Sequence, residues 1–160
     1  MRKGEKFIFL GIAAVVLTLM AKNALHQEDV KEEDMEIPFY TTASNQLNRD
    51  AMTLYRKYQC KSCHSLWTVK DMLRTVPAPA LDGIGSLRSR DWLAAYLASA
   101  EPQKILSSRL KAEFRMPSYA SMPAEERDLL VEYLSSLRVK DWYLEELKKS
   151  ECKKLTGEAC

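Results

Sequence analysis

Apolar residues return at helical spacing through most of the chain. Between Asp50 and Gln59, the residues Ala51, Leu54, Tyr55 and Tyr58 fall on one helical face that leads directly into Cys60. Ser89 stands where helix-capping hydroxyls stand, ahead of a helix predicted over 90–100 with Trp92, Leu93, Tyr96 and Leu97 inward. Pro102 ends that order, and a further short helix is predicted over 103–114. Pro123 suits a helix start, Glu125 and Glu126 suit its first turn, and Leu129, Leu130, Tyr133, Leu134 and Leu137 form a stripe. A last helix is expected from Val139, Trp142, Tyr143 and Leu147. Strand-like alternation is almost absent, so the pattern predicts an all-α fold.

The N-terminus is patterned differently. After Met1-Arg2-Lys3-Gly4-Glu5-Lys6, the run from Phe7 to Ala21 carries no charge until Lys22. A basic start followed by an apolar stretch is an export signal or a retained anchor. Fifteen residues of helix reach about 22 Å, short of the roughly 20 residues that cross a bilayer comfortably. Lysines at both ends can snorkel, and no A-x-A cleavage site stands out, which favours a retained single-pass anchor. The basic start places Met1 on the cytoplasmic side and the rest of the chain on the periplasmic or extracytoplasmic side of the membrane. Residues 26–46 are acidic and poor in aliphatics and read as a solvated linker. A strap docking through Phe39 and Tyr40 is the alternative.

Composition and charge narrow the chemistry. The 160 residues have a net charge of +2, mixed in sign along the chain and too small for a nucleic-acid binder. Five glycines, none in a phosphate-cradling arrangement, leave no nucleotide loop. No small-molecule substrate or catalytic acid–base set suggests itself, and two histidines limit the options further.

Residues 60–64 read Cys60-Lys61-Ser62-Cys63-His64, the C-x-x-C-H attachment motif of c-type haem. Two thiols at this spacing reach the vinyl groups on one porphyrin edge, and the adjacent histidine offers a ring nitrogen to the iron. A redox dithiol would need a βαβ context, and a zinc site a second closely spaced pair. Neither is visible. A six-coordinate iron needs another ligand. His26 is badly placed, and Met52 and Met72 lie on segments where methionine usually fills core. Met116, in Arg115-Met116-Pro117, follows His64 by fifty-two residues and is the favoured ligand. Met122 and an open iron are the alternatives.

Taken together, these residues resemble class I cytochrome c domains, the small all-α monohaem electron carriers. The resemblance runs from about Asn48 to Leu137. It has a helix into C-x-x-C-H, then Pro79-Ala80-Leu81-Asp82-Gly83-Ile84-Gly85, Arg88, Trp92-Leu93, Met116-Pro117 and a terminal helix with Tyr133-Leu134. It is closest to the membrane-anchored type found beside bc-type quinol-oxidising complexes and terminal oxidases. By that resemblance Pro79 would give its carbonyl to the ring N–H of His64, and Arg88 and Trp92 would contact the haem propionates. Pro77 stands where the family usually has glycine.

The implied organisation is an anchor or signal over 1–25, the linker over 26–46, a cytochrome c domain over 47–137 and an extension over 138–160. Cys152 and Cys160 in the extension are expected to pair in an oxidising compartment, two free thiols or a bond to another chain being the alternatives. The implied function is single-electron transfer by one covalent haem c, with membrane-bound redox partners and no enzymatic step. A structural and redox subunit of another membrane oxidoreductase, and a ligand-binding haem protein, are the competing readings.

Overall fold

The computed structural model describes residues 3–25, 37–67, 76 and 78–158. His26, Met72, Pro77, Cys160 and most of the acidic linker lie outside the described residues, and with them the expected Cys152–Cys160 pairing. The chain divides into two units, Met1–Glu36 and Ile37–Cys160.

In the first unit, Lys3–Leu25 forms helix α1. Its apolar residues surround the axis: Ile12, Val15, Val16 and Leu19 on one side, Leu17 and Met20 on another, all exposed. Among the described residues no helix is long and apolar enough to cross a membrane. The spanning segment expected from the sequence is therefore not supported. Length is the physical reason, because the uncharged run reaches about 22 Å and the hydrocarbon core is about 30 Å thick.

The second unit is built on helix α2 (Asn45–Lys57), the short helices α3 (Ile84–Leu87) and α5 (Pro102–Ile105), α4 (Arg90–Ala98), α6 (Ala124–Ser136) and α7 (Asp141–Thr156). Single 3₁₀ turns lie at Cys60–Ser62 and Ala112–Phe114. Two serine caps set helix starts, the second of them the one expected from the sequence. Ser44 Oγ accepts the Leu47 N–H at 3.1 Å, and Ser89 Oγ accepts the Trp92 N–H at 3.2 Å. The helix expected over 103–114 is instead two separate turns, because Leu106 to Lys111 leaves the helical path between them.

α6 is the centre of the domain and packs against both α2 and α4. Ala51 and Tyr55 from α2, Leu93 and Leu97 from α4, and Leu130, Val131 and Tyr133 from α6 are buried together. Burying such side chains contributes about 1.5–3 kcal/mol each before entropy is subtracted.

A short antiparallel pair appears where the sequence reading had linker and helix. Strand β1 (Phe39–Thr41) pairs with β2 (Leu137–Val139) in the register Phe39↔Val139, Tyr40↔Arg138, Thr41↔Leu137. Buried Ser136 ties the two together. Its hydroxyl lies 2.9 Å from Thr41 Oγ1, and its carbonyl accepts the Thr42 N–H at 3.1 Å. The linker predicted to end at residue 46 thus gives way to packed structure from Phe39 onward. Phe39 packs edge-on against Tyr143 of α7, at 5.5 Å between ring centroids. Phe39, which the alternative reading would dock on a partner, packs within the chain instead, and Tyr40 stays exposed.

Candidate cofactor site

A large apolar cavity opens between α4, α6, the Cys60–His64 segment and the loop that carries Met116. Its empty volume is about 1350 Å³, counting the part open to solvent. Every candidate site residue named from the sequence lines it: Cys60, Cys63, His64, Pro79, Arg88, Trp92 and Met116.

Helix α2 delivers the attachment motif. The chain leaves α2 through Gln59, whose φ of 59° turns it sharply into the 3₁₀ turn. The His64 N–H closes the turn on Cys60 O at 3.0 Å. Tyr55 Oη donates to His64 O at 2.9 Å, so the buried face of α2 also fixes the histidine backbone. Both thiols are free. Burial pushes the Cys60 thiol up to about 11, which keeps it protonated and unlike the thiolate of a redox dithiol or a zinc ligand.

His64 Nδ1 lies 2.8 Å from the carbonyl oxygen of Pro79. A carbonyl can only accept, so Nδ1 carries the hydrogen and the lone pair sits on Nε2, the tautomer suited to binding a metal. Burial holds the imidazole below its usual range; the Pro79 bond opposes this, and the positive charge of Lys154 adds to it. The ring is neutral, as a ligand must be.

Met116 is half-buried against the core. Gln103 Nε2 donates to its carbonyl at 3.3 Å, and Gln103 Oε1 is buried with no hydrogen-bond partner. Met122 is more deeply buried and ends its loop with an N–H bond to Tyr119 O at 2.9 Å. Both methionines border the cavity.

Arg88 and Trp92 sit side by side. The Arg88 guanidinium lies 5.0 Å from the centre of the Trp92 ring, which in turn stacks on Tyr96 at 4.9 Å. The guanidinium also pairs with Glu151 at 3.1 Å. Sequence reasoning missed Glu151, Lys154 and Leu155, which close one side of the cavity from α7. Nothing in a solvated-looking helical stretch marks two charged residues as cavity wall. The Tyr119 hydroxyl also lies beside Cys60. The chemistry of the donor set fits a covalent haem: two thiols, a neutral imidazole with Nε2 available and a thioether border one apolar space.

The family model described as Cytochrome c matches residues 49–138. No curated protein and no solved structure matches the chain.

Proposed function

Since the chain belongs to the cytochrome c family, we propose that it is a membrane-tethered monohaem carrier of single electrons. Its place would be in a respiratory chain, as a subunit of a quinol-oxidising or oxidase complex or beside one. The family is one of electron carriers rather than enzymes. Its haem c is bound covalently and it works with redox partner proteins.

The observation that carries the reading is the convergence of Cys60, Cys63, His64 and Met116 on one apolar cavity. Cys60 and Cys63 would hold the haem by thioethers, and His64 and Met116 would ligate its iron. The bound haem supplies an iron that passes between ferrous and ferric states. The chain's own residues would set the conditions for that change. Pro79 orients the imidazole, and Gln103 holds the backbone of Met116. Leu93, Leu97 and Leu130 keep water out, and a thioether ligand raises the potential relative to a second histidine. Tethering is supported by the uncharged stretch of α1 from Phe7 to Ala21, which Arg2, Lys3 and Lys6 precede. An export signal ahead of C-x-x-C-H supports an extracytoplasmic location.

Met116→Ala tests the ligand assignment. The variant should keep its covalent haem and its helices, lose the near-infrared sulfur–iron band of the ferric protein, fall in potential and begin to bind carbon monoxide. An unchanged ferric spectrum overturns the assignment. Alkaline extraction of membranes tests the tether: the full chain should stay in the pellet, and its release would contradict tethering.

A further inference from the structure

Helix α7 lies beyond the family match, which ends at residue 138, yet it forms part of the cavity wall through Glu151, Lys154 and Leu155. The Glu151 and Arg88 side chains are only 12% and 22% exposed, and Glu151 Oε2 lies 3.1 Å from Arg88 Nη2. Arg88 is further fixed by its place over the Trp92 ring and by Nη1, which donates to Leu87 O at 3.0 Å. Burial pushes the Glu151 carboxyl above the usual range, against the pull of Arg88. A buried pair of this kind adds little stability as a rule, so its location is the informative feature. It places a balanced positive and negative charge in the wall of an apolar cavity, where charges act more strongly than in water.

Resting on the haem reading above, we propose that Glu151 is a positioning residue that sets the haem's reduction potential by balancing the charge of Arg88 and holding it against Trp92. Oxidation of the iron sends one electron to a redox partner and leaves one more positive charge in the cavity. A carboxylate in the wall favours the ferric form and a guanidinium the ferrous form. Paired, they offset each other. Glu151→Gln leaves Arg88 uncompensated and raises the potential; Arg88→Gln leaves Glu151 uncompensated and lowers it. In the double variant the pair again contributes no net charge, Lys154 being unchanged, and the potential returns close to that of the wild type.

The test is a spectroscopic redox titration of the full-length haem-loaded protein and the three variants, with melting temperatures recorded alongside. At a fixed solution potential, the ferrous-to-ferric ratio should rise roughly ten- to twentyfold in Glu151→Gln and fall by a similar factor in Arg88→Gln. That is the size expected of one charge at about 10 Å with an effective dielectric constant of about 20. A purely structural wall gives a different pattern, because either variant would admit water and both would lower the potential. Glu151→Gln that is unchanged or lowered, or a double variant no closer to wild type than the singles, overturns the assignment. Failure of the wild type to retain haem in acid–acetone would instead overturn the cofactor reading, and this assignment with it.

Discussion

Gly85 is where α3 presses on the end of α6, and it offers the sharpest packing test of the domain. A Cβ placed there would lie 2.2 Å from Ser135 O, 2.6 Å from Ser135 C and 2.8 Å from Leu137 O. All three are backbone atoms, so no side chain can swing aside. Ordinary contact begins at 3.4 Å, and reaching it means parting α3 from α6 by about an ångström. That movement strains two bonds across the same contact: Arg138 Nη1 to Gly85 O at 2.6 Å and Val139 N–H to Ser86 Oγ at 3.1 Å. Overpacking costs about 1–3 kcal/mol, and each weakened hydrogen bond adds up to about 1 kcal/mol. The better helix propensity of alanine returns about 1 kcal/mol. Gly85→Ala should therefore lose about 2–4 kcal/mol in urea unfolding followed by circular dichroism. Because Arg88 ends α3, the cavity wall should shift with it and the haem's Soret band should change. Gly157→Ala is the control. Its φ of 86° makes alanine strained, but the Cβ would meet only the flexible Arg109 side chain at 3.2 Å, for a cost of about 1–2 kcal/mol. A Gly85→Ala protein no less stable than Gly157→Ala, with an unmoved Soret band, would refute the reasoning.

Two further outcomes are expected. Asp82 is buried and accepts the Trp67 N–H at 2.6 Å, and burial pushes its carboxyl above the usual aspartate range. The folded state therefore binds this proton more tightly than the unfolded chain does. The stabilisation is complete below the unfolded aspartate pKa and is lost as pH rises through the folded one. Between about pH 3 and pH 7 the comparison of urea midpoints should move in favour of Asp82→Asn over the wild type; movement the other way contradicts the assignment. Cys152 and Cys160 are expected to pair. Alkylation without reduction should then label neither, and reduction should cost at most about 2–3 kcal/mol while leaving the haem attached; labelling of both in the unreduced protein contradicts the pairing.

What the sequence made legible follows from the range of the interactions. Ser89 acts within three residues of itself, and the stripe through Leu130 and Tyr133 repeats within two turns, so α4 and α6 could be placed from local pattern. The attachment motif is five contiguous residues. The family resemblance, rather than local pattern, pointed to its neighbours: Pro79 meets His64, and Arg88 and Trp92 line the same cavity as Met116. Long-range and short-lived patterns were not legible. β1 and β2 have three residues each, too few to display alternation, and their partners are almost a hundred positions apart. Likewise Glu151 gains its meaning only from Arg88, more than sixty residues earlier. Trp142 and Tyr143 are adjacent and chemically alike. Yet Tyr143 packs on Phe39 while Trp142 is 63% exposed, a difference that helical phase alone left open.

The account stands on covalent attachment at Cys60 and Cys63, and the mass of the denatured polypeptide tests it most directly. Protein produced with a working haem-attachment system should carry the added mass of one haem after acid–acetone treatment, with the colour retained by the chain. The mass should fall to that of the bare polypeptide when both cysteines are replaced by alanine. A wild-type chain at its bare mass, with the colour in the solvent, would contradict the account.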